Sequence, residues 1–259
     1  MSNKFKWERV IPIIIMLIIA IILIFSIKDN NNFINVERTK FTNVNYDGSF
    51  VVKVKDGQIA TSPEFTPDKK ARQYEWYSDP FCGDCIRAHK ATNEYIEKAV
   101  KNGEMEIKYH PLNYLSQYTD NDYSLKASAW VVAIADKSPE NIYKFMDLLY
   151  NEKYRDNYMT DKKVEKAFME LAKKAGVPSS NSEYILRNLE KYEDSVNRAS
   201  VNIRRFDKWK AMSPKEDKTF FVPFIFNVND KQALLGESEN AKDDILKPLQ
   251  GVSCSGICE

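Results

Sequence analysis

The stretch that decides the fold is SDPFCGDCIRAHK, residues 78–90, which holds two of the four cysteines in the chain. Cys82 and Cys85 form a C-x-x-C pair directly after RQYEWYS (residues 72–78), a run that predicts a β-strand. The residues that follow, 82–100, predict a helix with one apolar face. A strand that leads into a C-x-x-C pair at the start of a helix is the context that a redox dithiol requires.

The position of the pair predicts different roles for its two sulfurs. The unpaired N–H groups and the dipole of a helix N-terminus favour an anion, and a thiolate is such an anion. We therefore expect Cys82 to have a lowered pKa and to be the nucleophile. Cys85 lies one turn further on, and we expect it to be more buried and to close the bridge.

Outside this stretch, the pattern predicts an α/β protein. EMEIKYH (residues 104–110) alternates as a strand, so the order strand, helix, strand predicts a parallel pair. About a hundred residues of helical periodicity follow, and strands return at 219–228 and 232–237 before a final helix near 238–248. Pro223 interrupts the strand-like run TFFVPFIFNV, which indicates an edge, a bulge or a cis peptide bond.

These features resemble the DsbA-like branch of the thioredoxin superfamily over residues 70–250. The resemblance rests on SDPFCGDC after a strand, on FFVPFIFN late in the chain and on the helical block between them. It implies a thioredoxin-like α/β fold with an inserted helical domain, in which Pro223 is cis and lies beside the dithiol. It further implies that backbone groups of Val222 contact the bound substrate peptide.

The chain departs from that family at two places. Gly83 and Asp84 stand between the cysteines, where the strongly oxidising members have Pro-His. A carboxylate repels a thiolate that a histidine cation would stabilise, so these two residues predict a milder oxidant. Many relatives also carry a buried acid six positions before the first cysteine; here that position is Trp76, and Glu75 is one residue away.

The N-terminal region predicts a membrane anchor. Three basic residues within the first nine precede Val10–Ile27, eighteen residues without a charge. A helix of that length is about 27 Å long, enough to cross a bilayer. No small-x-small cleavage site follows, and the basic flank places the N-terminus in the cytoplasm with the bulk of the chain outside. We expect membrane lipid to contact residues 10–27.

The expected organisation of the chain has six parts. They are a cytoplasmic N-terminus (1–9), a transmembrane signal anchor (10–27), a linker (28–48), a thioredoxin-like domain (49–115 and 215–250), an inserted helical domain (116–214) and a cysteine-containing tail (251–259).

Other interpretations of the cysteines stay open. Cys254 and Cys258 form either a local disulfide or a second dithiol that exchanges with the first pair. The 168 residues between Cys85 and Cys254 differ from the short spacers of zinc ribbons, so we predict no metal site. A purely structural bridge between Cys82 and Cys85 is the remaining alternative.

Four aromatic residues beside the cysteines and Pro223 either line an apolar groove for unfolded polypeptide or simply pack; they are Tyr77, Phe81, Phe221 and Phe224. The near balance of 38 basic and 37 acidic residues gives no basis for nucleic-acid binding.

The sequence thus predicts a membrane-anchored, extracytoplasmic thiol–disulfide oxidoreductase that acts on exported proteins with free cysteines. No cofactor is implied, because the sulfurs carry the electrons. A membrane or thiol redox partner would reoxidise the dithiol. The alternatives are a thioredoxin-like adaptor in which the dithiol is incidental or redox-sensing, and a disulfide reductase or isomerase.

Overall fold

The computed structural model describes residues 40–67, 70–118, 122–151, 164–205, 220–235 and 242–251. Within these ranges one mixed sheet contains six strands, in the order β2-β1-β4-β3-β5-β6. The strands are β1 (Phe50–Lys55), β2 (Gln58–Ser62), β3 (Arg72–Ser78), β4 (Met105–Pro111), β5 (Phe224–Asn227) and β6 (Gln232–Leu235).

The helices of these ranges lie mostly between β4 and β5. They are α1 (Gly83–Lys101), α2 (Tyr123–Lys137), α3 (Ile142–Leu149), α4 (Val164–Ala175), α5 (Ser179–Arg187), α6 (Leu189–Arg205) and α7 (Lys247–Leu249). Short 3-10 turns occupy Tyr114–Gln117 and Pro139–Asn141, and a π-helical turn, Lys242–Leu246, precedes α7.

The centre of the sheet is the predicted strand–helix–strand unit. β3 and β4 are parallel, with Tyr74 opposite Ile107 and Ser78 opposite Pro111, and α1 connects them. Because β3 and β4 run in the same direction, their carboxyl ends meet at one edge of the sheet. The residues after Ser78 therefore lie at the same edge as those after Pro111.

The remaining strands pair antiparallel. β1 and β2 form a hairpin, and its turn residues Asp56 and Gly57 both have positive φ, 52° and 78°, as a tight hairpin turn requires. β5 pairs with β3, so that Phe224 lies opposite Tyr77. Proline has no N–H to give to a ladder, and accordingly β5 begins only after Pro223, later than the predicted strand at 219.

The helical layer shares its core with the sheet. α2 is covered on nearly all sides, and its fully buried Trp130 packs on the rings of Phe145 and Phe168. Ser128 of α2 donates to the carbonyl of Leu112, just after β4. The N-terminus of α2 thereby lies over the edge of the sheet where β3 and β4 end.

In the part of the chain that the structure describes, no helix has both the length and the apolar character needed to cross a bilayer. The predicted anchor at 10–27 lies outside the described residues, as do most of the linker and the tail with Cys254 and Cys258.

Candidate active site

Cys82 lies at the N-terminal end of α1, four residues after β3 ends. Its backbone is extended (φ −74°, ψ 127°), and its N–H donates to the carbonyl of Asp79 at 3.0 Å. Its carbonyl accepts from Ile86 at 3.0 Å and so begins the helix. No side chain caps α1, and the first N–H groups of the helix are therefore available to the Cys82 sulfur.

The two thiols are free, and they are buried to different degrees. Cys82 keeps 8% of its surface exposed, whereas Cys85 keeps none. A hydrogen bond from the Cys85 thiol lowers the pKa of Cys82, with help from the backbone N–H groups of Cys85 and Asp84 and against the effect of burial. Burial raises the pKa of Cys85 well above its ordinary value, and the neighbouring Cys82 adds to that rise. Cys82 is therefore the thiol that ionises first and the less deeply buried of the two.

Val222, the residue before Pro223, lies beside the dithiol although 140 positions separate it from Cys82 in the sequence. The Val222–Pro223 peptide bond is cis, and the Cys82 thiol donates to the Val222 carbonyl at 3.6 Å. Both Val222 and the ring of Phe224 are buried at this point. The structure thus brings together Cys82, Cys85, Val222 and Pro223, the residues that the sequence singled out.

The Asp84 side chain, between the two cysteines, is paired with a cation, which the expected repulsion of the thiolate did not include. Asp84 forms an ion pair with Arg87, one turn later on α1, and both side chains are partly exposed. The contribution of Asp84 to the Cys82 thiolate comes from its backbone N–H, which favours the anion. Repulsion of the thiolate by the Asp84 side chain, which we expected, is countered by the adjacent guanidinium. Gly83 is the first residue of α1.

A buried carboxylate that the sequence analysis missed lies under the dithiol. Asp79 is completely buried, and its N–H donates to the Cys85 sulfur at 3.5 Å. One carboxyl oxygen accepts from the N–H of Phe81 at 2.8 Å. The other accepts from the N–H of Leu115 at 2.8 Å and from the Ser124 hydroxyl at 2.6 Å.

Burial raises the pKa of Asp79 to about 6, although these three donors favour its charged form. The position expected for a buried acid, Trp76, holds an indole in the core, and Glu75 accepts from the Tyr77 hydroxyl on the other face of β3. An aspartate before a proline at a strand end was the available signal, but nothing in the sequence showed its burial.

A second group of polar residues borders Cys85. The hydroxyls of Ser78 and Tyr150 are 2.8 Å apart, and the Tyr150 ring stacks on His89 with centroids 4.5 Å apart. His89 is buried, and its Nε2 lies 3.0 Å from an Asp147 carboxyl oxygen. Burial raises the pKa of Tyr150 well above its ordinary value, and Cys85 adds to this effect.

The aromatic residues next to the site pack rather than form an open groove. All four are at least nine-tenths buried: Tyr77, Phe81, Phe221 and Phe224. Phe81 packs on Tyr123, with ring centroids 4.7 Å apart. Among the described residues, no group of three or more His, Cys, Asp or Glu side chains is placed to hold a metal ion.

A dithiol at a helix N-terminus, beside a cis X-Pro peptide and at the carboxyl edge of a mixed sheet, defines the thioredoxin-like class. The chain belongs to the thioredoxin family, because the family model described as thioredoxin matches residues 68–220, more than half of its length. The thioredoxin-like α/β fold with inserted helices, predicted from the sequence, is confirmed.

Solved structures agree on the fold. The MdbA protein of Actinomyces oris, a thiol–disulfide oxidoreductase, matches with a TM-score of 0.59 at 12% identity, covering 83% of this chain and 94% of its own. The MdbA protein of Corynebacterium diphtheriae, also a thiol–disulfide oxidoreductase, matches with a TM-score of 0.53 at 23% identity, covering 76% of this chain and 91% of its own.

Oxidised BdbD of Bacillus subtilis matches with a TM-score of 0.50 at 13% identity, covering 82% of this chain and 96% of its own. The thioredoxin-superfamily part of the predicted resemblance is confirmed by the family match, and these structures share its fold. A search of curated protein sequences gives no significant match.

Proposed function

We propose that this protein is a thiol–disulfide oxidoreductase that exchanges disulfides with other proteins through Cys82 and Cys85. The observation that carries the proposal is the asymmetry of the two sulfurs. Cys82 is the more acidic and less deeply buried thiol beside the Val222 carbonyl, while Cys85 is fully buried and has a raised pKa. A purely structural bridge would need no such difference.

The reaction follows from this geometry. A substrate thiolate attacks the less deeply buried Cys82 sulfur of the Cys82–Cys85 bridge, and the bond to Cys85 breaks. Cys85 takes up a proton, which its raised pKa favours. A second substrate thiolate then attacks the substrate sulfur of the mixed disulfide and releases Cys82 as a thiolate. Two electrons pass from the substrate dithiol to the protein, and the substrate gains one disulfide.

Val222 supplies the groups that would hold the substrate during this exchange. Its carbonyl already contacts the Cys82 sulfur, so a peptide joined to that sulfur lies alongside the Val222–Pro223 backbone. An extended peptide can pair with such a segment through main-chain hydrogen bonds, which accept many sequences. This arrangement fits exported proteins with free cysteines as substrates.

The site of action that we propose is outside the cytoplasm. Val10–Ile27 would anchor the chain in the membrane, and disulfides persist on the outer side. A membrane or thiol redox partner would reoxidise the dithiol after each exchange. Protease accessibility on intact cells tests this location, and protection of residues 40–251 from an external protease would contradict it.

The activity itself is tested with a reduced model peptide that contains two cysteines. The oxidised protein should convert it to the disulfide form faster than oxidised glutathione at the same concentration does, as followed by mass spectrometry. Cys82→Ser is the matched control and should lose this transfer entirely. Equal rates for the wild type and Cys82→Ser would refute the proposal.

A further inference from the structure

Two negatively charged side chains lie close to the dithiol, in very different surroundings. Asp84 is partly exposed and paired with Arg87, so water and a cation both screen it. Asp79 is completely buried, and its carboxyl group accepts hydrogen bonds from neutral N–H and O–H groups. No cation of the described residues forms an ion pair with Asp79.

The charge of Asp79 is near both sulfurs. Its own N–H donates to the Cys85 sulfur at 3.5 Å, and the covalent geometry of an aspartate keeps its carboxyl oxygens within about 8 Å of that atom. A buried charge is screened little at this distance. Accordingly, the Asp79 charge raises the pKa of both Cys82 and Cys85, as a smaller contribution beside hydrogen bonding and burial.

We propose that Asp79, and not Asp84, sets the reduction potential of the Cys82–Cys85 pair by placing an unscreened negative charge beside it. This inference rests on the proposed function. Reduction of the bridge takes up two electrons from a substrate dithiol and one proton, and it leaves a thiolate on Cys82 and a thiol on Cys85. The Asp79 carboxylate disfavours that thiolate, so it makes the protein a weaker oxidant.

Asp79 is at the same time a positioning residue, because its hydrogen bonds join three segments. They connect the turn before Cys82, through Phe81, to the 3-10 turn at Leu115 and to Ser124 of α2. Removing the carboxylate therefore changes both a charge and a set of contacts. The test needs a control that loses similar contacts far from the sulfurs.

Asp136 provides that control. It is a second buried carboxylate, at the other end of α2, twelve residues and about 18 Å along the helix from Ser124. Its oxygens accept from the N–H groups of Thr42 and Asn43 at 2.8 and 3.0 Å and from the Tyr192 hydroxyl at 2.9 Å. Asp136 also forms an ion pair with Lys137, whose Nζ lies 3.0 Å from Oδ2. Asp136→Asn therefore controls for the loss of a buried carboxylate and its charge-assisted hydrogen bonds at a site far from the sulfurs.

The experiment measures two quantities for the full chain and both variants. The first is the pKa of the Cys82 thiolate, from the pH dependence of its alkylation. The second is the exchange constant with glutathione. For Asp79→Asn we expect the Cys82 pKa to fall by about one unit and the protein to become up to about tenfold more oxidising. Asp136→Asn should match the wild type in both quantities.

The pH dependence separates charge from structure. The titratable groups coupled to Asp79 are Cys82, Cys85 and Tyr150. Since Asp79 loses its charge below about pH 6, the difference in exchange constant between the wild type and Asp79→Asn should be present at pH 8 and absent at pH 5.

An unchanged Cys82 pKa and exchange constant in Asp79→Asn would overturn the inference, and so would equal changes in Asp136→Asn. If the wild type itself does not exchange disulfides with glutathione, the proposed function fails instead. Should Asp79→Asn not fold, Ser124→Ala supplies the second variant: loss of its hydroxyl raises the pKa of Asp79, so the pH at which the exchange constant changes should move upward, and an unmoved pH would overturn the inference.

Discussion

The buried Asp79 carboxyl makes the stability of the reduced protein depend on pH. Its folded-state pKa, about 6, lies above its ordinary value of 3.8, so folding favours the protonated form. The resulting stabilisation is fully present below about pH 4 and is lost as the pH rises through 6. A difference of about two units corresponds to about 3 kcal/mol of the free energy of unfolding.

For a domain of this size, that loss lowers the melting temperature by roughly 6–12 °C. Asp79→Asn removes the titrating group and should lack this part of the pH dependence. The assay is thermal unfolding by circular dichroism between pH 4 and pH 8, on wild type and variant with both cysteines reduced. The melting temperature of the wild type should fall relative to that of Asp79→Asn between pH 4 and pH 7.

Ser124→Ala should act in the opposite direction. The Ser124 hydroxyl donates at 2.6 Å to the carboxylate and favours its charged form, so its loss raises the pKa of Asp79 further. A buried hydrogen bond to a charged group contributes about 1.5–3 kcal/mol, and this loss should appear mainly above pH 6. If the melting temperatures of the wild type, Asp79→Asn and Ser124→Ala change by the same amount with pH, the reasoning is refuted.

Three further predictions concern the dithiol and the core. Cys85→Ser should accumulate a mixed disulfide on non-reducing gels when its Cys82 thiolate attacks the disulfide form of the model peptide and releases one peptide thiolate, because the buried Cys85 thiol that would resolve it is gone; Cys82→Ser should accumulate none. Arg87→Gln leaves Asp84 unpaired and should raise the Cys82 pKa by a few tenths of a unit, measured by alkylation rate against pH, since exposed pairs of this kind are weak. Trp130→Ala should lower the free energy of unfolding by about 3–5 kcal/mol in urea titration, because the indole is fully buried.

The sequence was sufficient for the parts of the site that depend on local order. A strand followed by C-x-x-C and an amphipathic helix places Cys82 at a helix N-terminus whatever surrounds it, and the structure agrees. The block of helices after β4, which includes α2 and α4, was likewise predicted from the sequence. Such features arise from contacts among neighbours in the chain.

The rest of the site depends on contacts between distant residues. Asp79 is buried because Leu115 and Ser124, 36 and 45 residues later, cover and bind its carboxyl group. Its pKa and its influence on the sulfurs follow from that burial, which no local pattern indicates. The proximity of Val222 to Cys82 was predicted only through the family resemblance, since 140 residues separate them.

The ion pair between Asp84 and Arg87 could have been predicted from the sequence. Arg87 stands three residues later on the same helix, a spacing that brings opposite charges together. The expected effect of Asp84 on the thiolate was argued from its carboxylate alone, and the milder oxidant stays a prediction.

The proposed activity depends on reversible disulfide formation between Cys82 and Cys85. The decisive measurement places the purified protein in glutathione buffers of graded potential, traps its free thiols and locates the modified residues by mass spectrometry. We predict one two-electron transition in which Cys82 and Cys85 pass together from bridged to free. Two cysteines that stay free, or stay bridged, across the whole range would contradict the account.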